Sequence, residues 1–243
     1  MSSHNFKLKK WYFDGISEDG RAIVCYSAVM SWRMLSVQYA SYLYLDANGR
    51  AHSGSRYRDA PLPVLENDNI RWEDGKFRIK GEWHAAAAPV RTKLHDSEEG
   101  YLDWHCYQPA AHCHIQLREE TPISGYGYAE CLEMTIPPWK MGFSELRWGR
   151  LAHPESPIVW IDLRGEPNRS WIFNGQELIR TEHHQYSTST PRRFYLFLLV
   201  HIRSRWNRMF PFLSPLAASN ATTAMGYELE KRFLLERIRT DKN

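Results

Sequence analysis

Hydrophobic and polar residues alternate along much of the chain before residue 190, and turn signals interrupt the alternation at short intervals. In Val37–Asp46 (VQYASYLYLD), Val37, Tyr39, Ser41, Leu43 and Leu45 share one face, opposite Gln38, Ala40, Tyr42 and Tyr44. That is the two-residue period of a strand. Ala22–Met30 (AIVCYSAVM) is of the same kind, as are 76–83, 111–117, 127–134, 157–163 and 170–173. The breaks fall at Asp19-Gly20, Asn48-Gly49, Asp74-Gly75, Gly125 with Gly127, Gly165 and Asn174-Gly175. Residues 46–50, 72–76 and 171–176 read as hairpin turns. Pro137-Pro138 cannot lie in a central ladder. Helical periodicity is scarce. The pattern predicts an all-β chain of two antiparallel lobes, each a barrel or sandwich, split near 119–126 into residues 1–122 and 123–243.

The tail departs from this pattern. Arg192–Phe210 (RRFYLFLLVHIRSRWNRMF) is basic and apolar, and Pro211 and Pro215 end it. It fits a buried strand followed by a turn. It also fits an amphipathic helix on an anionic surface, so peripheral membrane or partner contact through 192–215 is a second reading.

Composition narrows the possibilities. The 243 residues include 10 Trp, 13 Tyr and 10 Phe, 14% in all, which excludes disorder as the dominant state. A net charge of +3 is too balanced to argue for nucleic acid. No stretch approaches the roughly 18 apolar residues that span a bilayer. The first residues lack an apolar core of the signal-peptide kind, and Cys25, Cys106, Cys113 and Cys131 form no C-x-x-C pair. A cytoplasmic protein with free thiols is expected.

Three places carry candidate chemistry. In Pro157–Leu163 (PIVWIDL), Ile158, Trp160 and Asp162 share a face. A carboxyl kept neutral beside an aromatic wall is what protonating a C=C bond requires, and ring faces stabilise the cation formed. Against this, Asp162 could end its strand and cap the turn before Arg164-Gly165, or pair with an arginine. In Gly127–Glu133, Tyr128 and Glu130 share a face while Glu133 points the other way. Such a pair can position water or a polar substrate group, or Glu130 can pair with Arg147 or Arg150. His112 and His114 flank Cys113 and point together. H-x-H can ligate a metal, but without a third ligand at a diagnostic offset a polar outward face is expected, with Cys113, Ile115 and Leu117 inward. No metal and no cofactor are expected. Trp32, Trp83, Trp139 and Trp148 suit a core, and neither a G-x-G-x-x-G nor a G-x-S-x-G motif is present.

Several segments in order carry a family resemblance. They are Trp11–Arg21 (WYFDGISEDGR), Tyr107–Leu117 (YQPAAHCHIQL), Gly125–Glu130 (GYGYAE), and Phe143–Arg150 (FSELRWGR) with Ile158–Asp162 (IVWID). Together they resemble the lipocalin-like carotenoid 1,2-hydratase family, also called hydroxyneurosporene synthase-like, and its AttH-type relatives. The likeness covers roughly residues 10–180, and the chain is shorter than typical members. It implies two lipocalin-like lobes and an apolar pocket at or near their interface. Members include hydratases that protonate an isoprenoid double bond; more distant relatives are pericyclases and tocopherol cyclase. It further implies Asp162 as the acid, with Glu130 and Tyr128 in support. Trp160, Trp11, Tyr12, Trp148 and Tyr126 become substrate-binding candidates, and Asp14 a cap of the turn to Gly15. The expected function is cofactor-independent, acid-assisted hydration, isomerisation or cyclisation of an extended apolar isoprenoid, polyene or polyketide. The alternatives are a non-catalytic carrier of an apolar ligand and a membrane- or partner-binding accessory protein. Oligomeric state is left open.

Overall fold

The computed structural model describes residues 6–141, 143–151, 157–165, 168–181 and 200–201. The strands are β1 (Phe6–Ser17), β2 (Ala22–Trp32), β3 (Leu35–Leu45), β4 (Ala51–Tyr57), β5 (Val64–Glu66), β6 (Asn69–Asp74), β7 (Ile79–Ala85) and β8 (Val90–Ser97). They continue with β9 (Gly100–Leu117), β10 (Ile123–Met134), β11 (Phe143–Leu151), β12 (Ile158–Gly165), β13 (Arg169–Phe173), β14 (Leu178–Thr181) and β15 (Val200–His201). One 3₁₀ turn, Pro138–Lys140, follows the Pro137-Pro138 break. Every pairing is antiparallel, so the all-β architecture expected from the alternation holds. Among the described residues no helix is long and apolar enough to cross a membrane. Apart from β15, the 192–215 segment lies outside the described residues.

The chain divides into two compact units, the first running to Met141 and the second formed by Gly142–Leu151 with the chain from Ile158. β10 is hydrogen-bonded between β1 and β9, and its ladder ties it to the first unit.

The first unit is a ten-stranded sheet in the order β4-β3-β2-β1-β10-β9-β7-β6-β5, with β8 also on β9. Its far ends meet through side chains. Arg56 of β4 holds Asp74 of β6 at 2.9 Å, and the Tyr42 ring of β3 lies 5.0 Å from Phe77. The sheet is thereby curled into a barrel. Rings fill its inside. Phe13 of β1 stacks on Trp72 of β6 (6.1 Å) and packs on Trp83 of β7 (5.0 Å), and Trp11 stacks on Tyr107 (4.8 Å). Strands several places apart in the sheet order are bridged by these contacts. Trp11, Trp72 and Trp83 are each at most 1% exposed.

Gly125 and Gly127 read as turn residues but lie inside β10. At Gly127 a Cβ would come within 2.7 Å of the Trp83 ring and 2.9 Å of the Asp14 carbonyl oxygen. The glycine makes room for an indole rather than for a bend. The Trp83 Nε1 then donates to that Asp14 carbonyl at 2.7 Å. Pro109 is accommodated where β9 slips by extra residues against β10, between Cys106 and Ala111.

Among the described residues, the second unit holds a five-stranded sheet, β14-β13-β12-β11-β15. Val159, Ile161 and Leu163 form one buried face with Leu146, Trp148, Trp171 and Phe173.

Asp74 is fully buried, and its Oδ1 also accepts from the Lys76 and Phe77 amides at 2.9 and 3.1 Å. Removing it strands the Arg56 guanidinium, whose side chain is 12% exposed. Asp74→Ala should cost about 3–5 kcal/mol in urea unfolding. Disrupting the exposed Lys93–Asp96 pair should leave the urea midpoint essentially where it is.

Candidate functional site

Long central strands do not bury the same face along their whole length. Toward its C-terminal end β9 buries Cys113, Ile115 and Leu117 inside the barrel and exposes His112 and His114 outside. Toward its N-terminal end the outward residues Leu102, Trp104 and Cys106 are the buried ones. Between these halves, β1, β2 and β10 are buried on both faces over Trp11–Ile16, Ala22–Ala28 and Gly127–Cys131, with Ile16 alone only partly so. The inward face is apolar. The outward face is polar, and it forms the site.

That face is built by cross-strand register. Tyr26 of β2 stands opposite Tyr12 of β1, Tyr12 opposite Glu130 of β10, and Glu130 opposite Cys106 of β9. One step along, Asp14 is opposite Tyr128. Residues directly opposed in an antiparallel pair share a face, so these groups form a continuous patch. Tyr12 meets Tyr26 and Tyr128 edge-on, at centroid distances of 5.3 and 5.9 Å. The Lys10 ammonium lies 4.8 Å from the centre of the Tyr26 ring.

Glu130 is the hub. Its Oε2 accepts from the Tyr128 hydroxyl and from Trp104 Nε1, each at 2.6 Å. Burial pushes the carboxyl above its ordinary range, and the negative charge of Asp14 pushes in the same direction. The two hydrogen bonds and the charge of Lys10 act against them without reversing the outcome. Burial likewise holds the Tyr128 phenol far above its ordinary value, so it stays a donor. Nearby, Tyr12 donates to Asp14 Oδ2 at 3.0 Å.

The structure brings together some of the expected site residues and separates others. Tyr128, Glu130 and Tyr12 share the outward face. Trp11, next to Tyr12, points the opposite way into the ring-filled barrel. Tyr126 is on the Glu130 face but about 13 Å further along the strand at 3.3 Å per residue, where its ring packs on the exposed His112. Asp14 does not cap a turn, since it lies within β1. Trp104, Lys10 and Tyr26 were not among the expected residues. Trp104 stands three places along β9 from Tyr107, the first residue of its family-like segment, and nothing in the local pattern marks it.

In the second unit, Asp162 is inside β12, not at its end, with Arg147 of β11 and Ser170 of β13 directly opposite. Its 6% exposure and the cross-strand arginine suit the ion-pair reading considered from sequence. Trp160 is on the Asp162 face, and its ring lies over Gly149, where a Cβ would come within 2.1 Å of it. Trp148 pairs with Ile161 and so faces away from Trp160, among the apolar residues of that sheet. The two tryptophans do not form one wall.

By sequence, no family model matches the chain, and no curated protein matches it. Solved structures similar to it include an AttH-like protein from Nitrosomonas europaea, at 11% identity over 74% of this chain and 69% of that one, with a TM-score of 0.47. Kievitone hydratase from Nectria haematococca is 12% identical over 79% and 72% of the two chains, with a TM-score of 0.48. CghA is 11% identical over 71% of this chain and 59% of its own, with a TM-score of 0.43.

A carboxyl whose pKa is raised by folding binds its proton more tightly in the folded chain than in the unfolded one. Its contribution favours folding below the ordinary glutamate value, about 4.3, and is lost as pH rises through the raised value. Glu130→Gln removes that dependence. Urea unfolding at pH 4.5 and pH 8 should show the variant gaining on the parent as pH rises. A gain in the opposite direction would mean that the site holds a permanent carboxylate.

Proposed function

We propose that the protein is an enzyme of acid–base type that protonates a carbon–carbon double bond, adding water to it or leading it into isomerisation or ring closure. The observation that carries this reading is Glu130, a buried carboxyl with a raised pKa set among three aromatic rings, those of Tyr12, Trp104 and Tyr128. Both hydrogen bonds end on Oε2, so the proton of the neutral acid resides on Oε1. From there it is available to a substrate carbon. The phenol and indole that hold Oε2 stabilise the carboxylate left behind, which lowers the barrier to giving the proton up. The rings of Tyr12 and Tyr128 supply the electron density that a developing carbocation requires.

Glu130 takes the acid's role here in preference to Asp162. Asp162 lies across from the guanidinium-bearing Arg147, whereas Glu130 is held by neutral donors. The substrate class that fits is an alkene with an extended apolar or aromatic frame, and the chemistry assigned to these residues needs no cofactor. The rings packed through the first barrel weigh against a carrier whose ligand would lie inside it.

A panel of isoprenoid, polyene and prenylated phenolic alkenes, incubated with the protein in H₂O and in D₂O, would be read by mass spectrometry for gain of water or of deuterium at carbon. Turnover of at least one panel member is expected. Glu130→Gln should then lower the rate by about 10²–10⁴-fold, and Asp162→Asn should lower it far less. Undiminished turnover by Glu130→Gln would overturn the assignment.

A further inference from the structure

Tyr12-Phe13-Asp14 on β1 and Tyr128-Ala129-Glu130 on β10 repeat one three-position pattern: a phenol, an inward-facing residue, a carboxyl. The strands run antiparallel in a register that sets Tyr12 against Glu130 and Asp14 against Tyr128. Each phenol donates to the carboxyl two residues on in its own strand, at 3.0 Å to Asp14 and 2.6 Å to Glu130. The four groups form a quartet with approximate two-fold symmetry, and none is more than 7% exposed. Symmetry of pattern does not make the halves equivalent. Glu130 has a second donor in Trp104, and two neighbouring carboxyls cannot both ionise cheaply away from water. One proton shared over two carboxyls is the state such a pair prefers, and it leaves one acid and one base on the same face.

We propose that Asp14, with Tyr12, is the proton acceptor that works opposite Glu130, so that the quartet adds water across the double bond as an acid–base pair. This rests on the reading of Glu130 as the acid. The proton on Glu130 forms the new C–H bond and leaves a carboxylate. Water forms the C–O bond at the adjacent cationic carbon, and the proton that this water sheds goes to the Asp14 carboxylate. Transfer of that proton back to Glu130, across the phenols or through solvent, restores the starting state, so the net reaction consumes only alkene and water. The charged and titratable groups facing the pair are Lys10 and Tyr12 from β1, Tyr26 from β2, Tyr128 from β10 and Cys106 from β9. The Lys10 ammonium favours keeping one carboxylate ionised.

The test is the pH profile of kcat/KM for a turned-over panel alkene, together with ¹³C NMR titration of the Glu130 carboxyl in the ligand-free protein. The parent should give a bell, rising as Asp14 loses its proton and falling as Glu130 loses its own. Asp14→Asn should abolish the rising limb, lower the rate by about 10²-fold or more, and move the Glu130 titration to lower pH. Tyr12→Phe, which removes only a hydroxyl, should shift the rising limb and serves if Asp14→Asn does not fold. A purely structural role would scale the whole profile down and leave both limbs in place. If Glu130→Gln is inactive while Asp14→Asn keeps both limbs, the acceptor role is overturned and the acid stands. If Glu130→Gln turns over normally, both fall. With no panel alkene turned over, a Glu130 titration unmoved by Asp14→Asn would by itself overturn the pairing.

Discussion

The burial of β1 and β10 on both faces is the constraint on which the first unit depends. An ordinary antiparallel strand keeps one side for water and can place polar groups there at little cost. Over Trp11–Ile16 and Gly127–Cys131 that outlet is largely closed, so any polar side chain on these stretches must find its partner inside the protein. The inward side meets this demand with apolar rings, a methyl group and a thiol: Trp11, Phe13, Ala129 and Cys131. The outward side meets it with phenol-to-carboxyl and indole-to-carboxyl hydrogen bonds. One period-two chain thus carries an apolar core and a hydrogen-bonded polar face separated by the thickness of a single sheet.

The raised pKa of Glu130 follows from the same constraint. Its two donors are neutral groups, which satisfy Oε2 without themselves supplying the positive charge that would hold the carboxyl ionised. Asp162, on the second sheet, stands across from an arginine. Two carboxyls of comparable burial are therefore suited to different work by what faces them. What sets the two carboxyls apart is the partner each faces rather than the depth at which it lies.

The all-β class, the hairpins at 46–50, 72–76 and 171–176, and the common face of Tyr128 and Glu130 were legible in the sequence because each depends on residues close together along the chain. The remainder depends on pairings between distant segments. Tyr12 meets Glu130 only because β1 and β10 are neighbours, and Trp104 reaches Glu130 only because β9 lies on the other side of β10. Gly127 looked like a turn because glycine's commonest use is in turns, whereas here it yields space to an indole arriving from β7. Trp148 and Trp160 were both candidates for contact with a substrate. The β11–β12 register, which pairs Trp148 with Ile161, sends them to opposite faces.

The Trp83 indole, donating to the Asp14 carbonyl over Gly127, couples the two sides of the sheet. It is held by the barrel's core, and it fixes the backbone from which the Asp14 carboxyl projects. The site's geometry is thereby inherited from the most deeply packed part of the unit, and thermal opening of that region requires breaking the core itself. Substitutions that shift the quartet would therefore loosen the barrel as well, whereas changes in the loops and at residues bordering the patch would leave both intact.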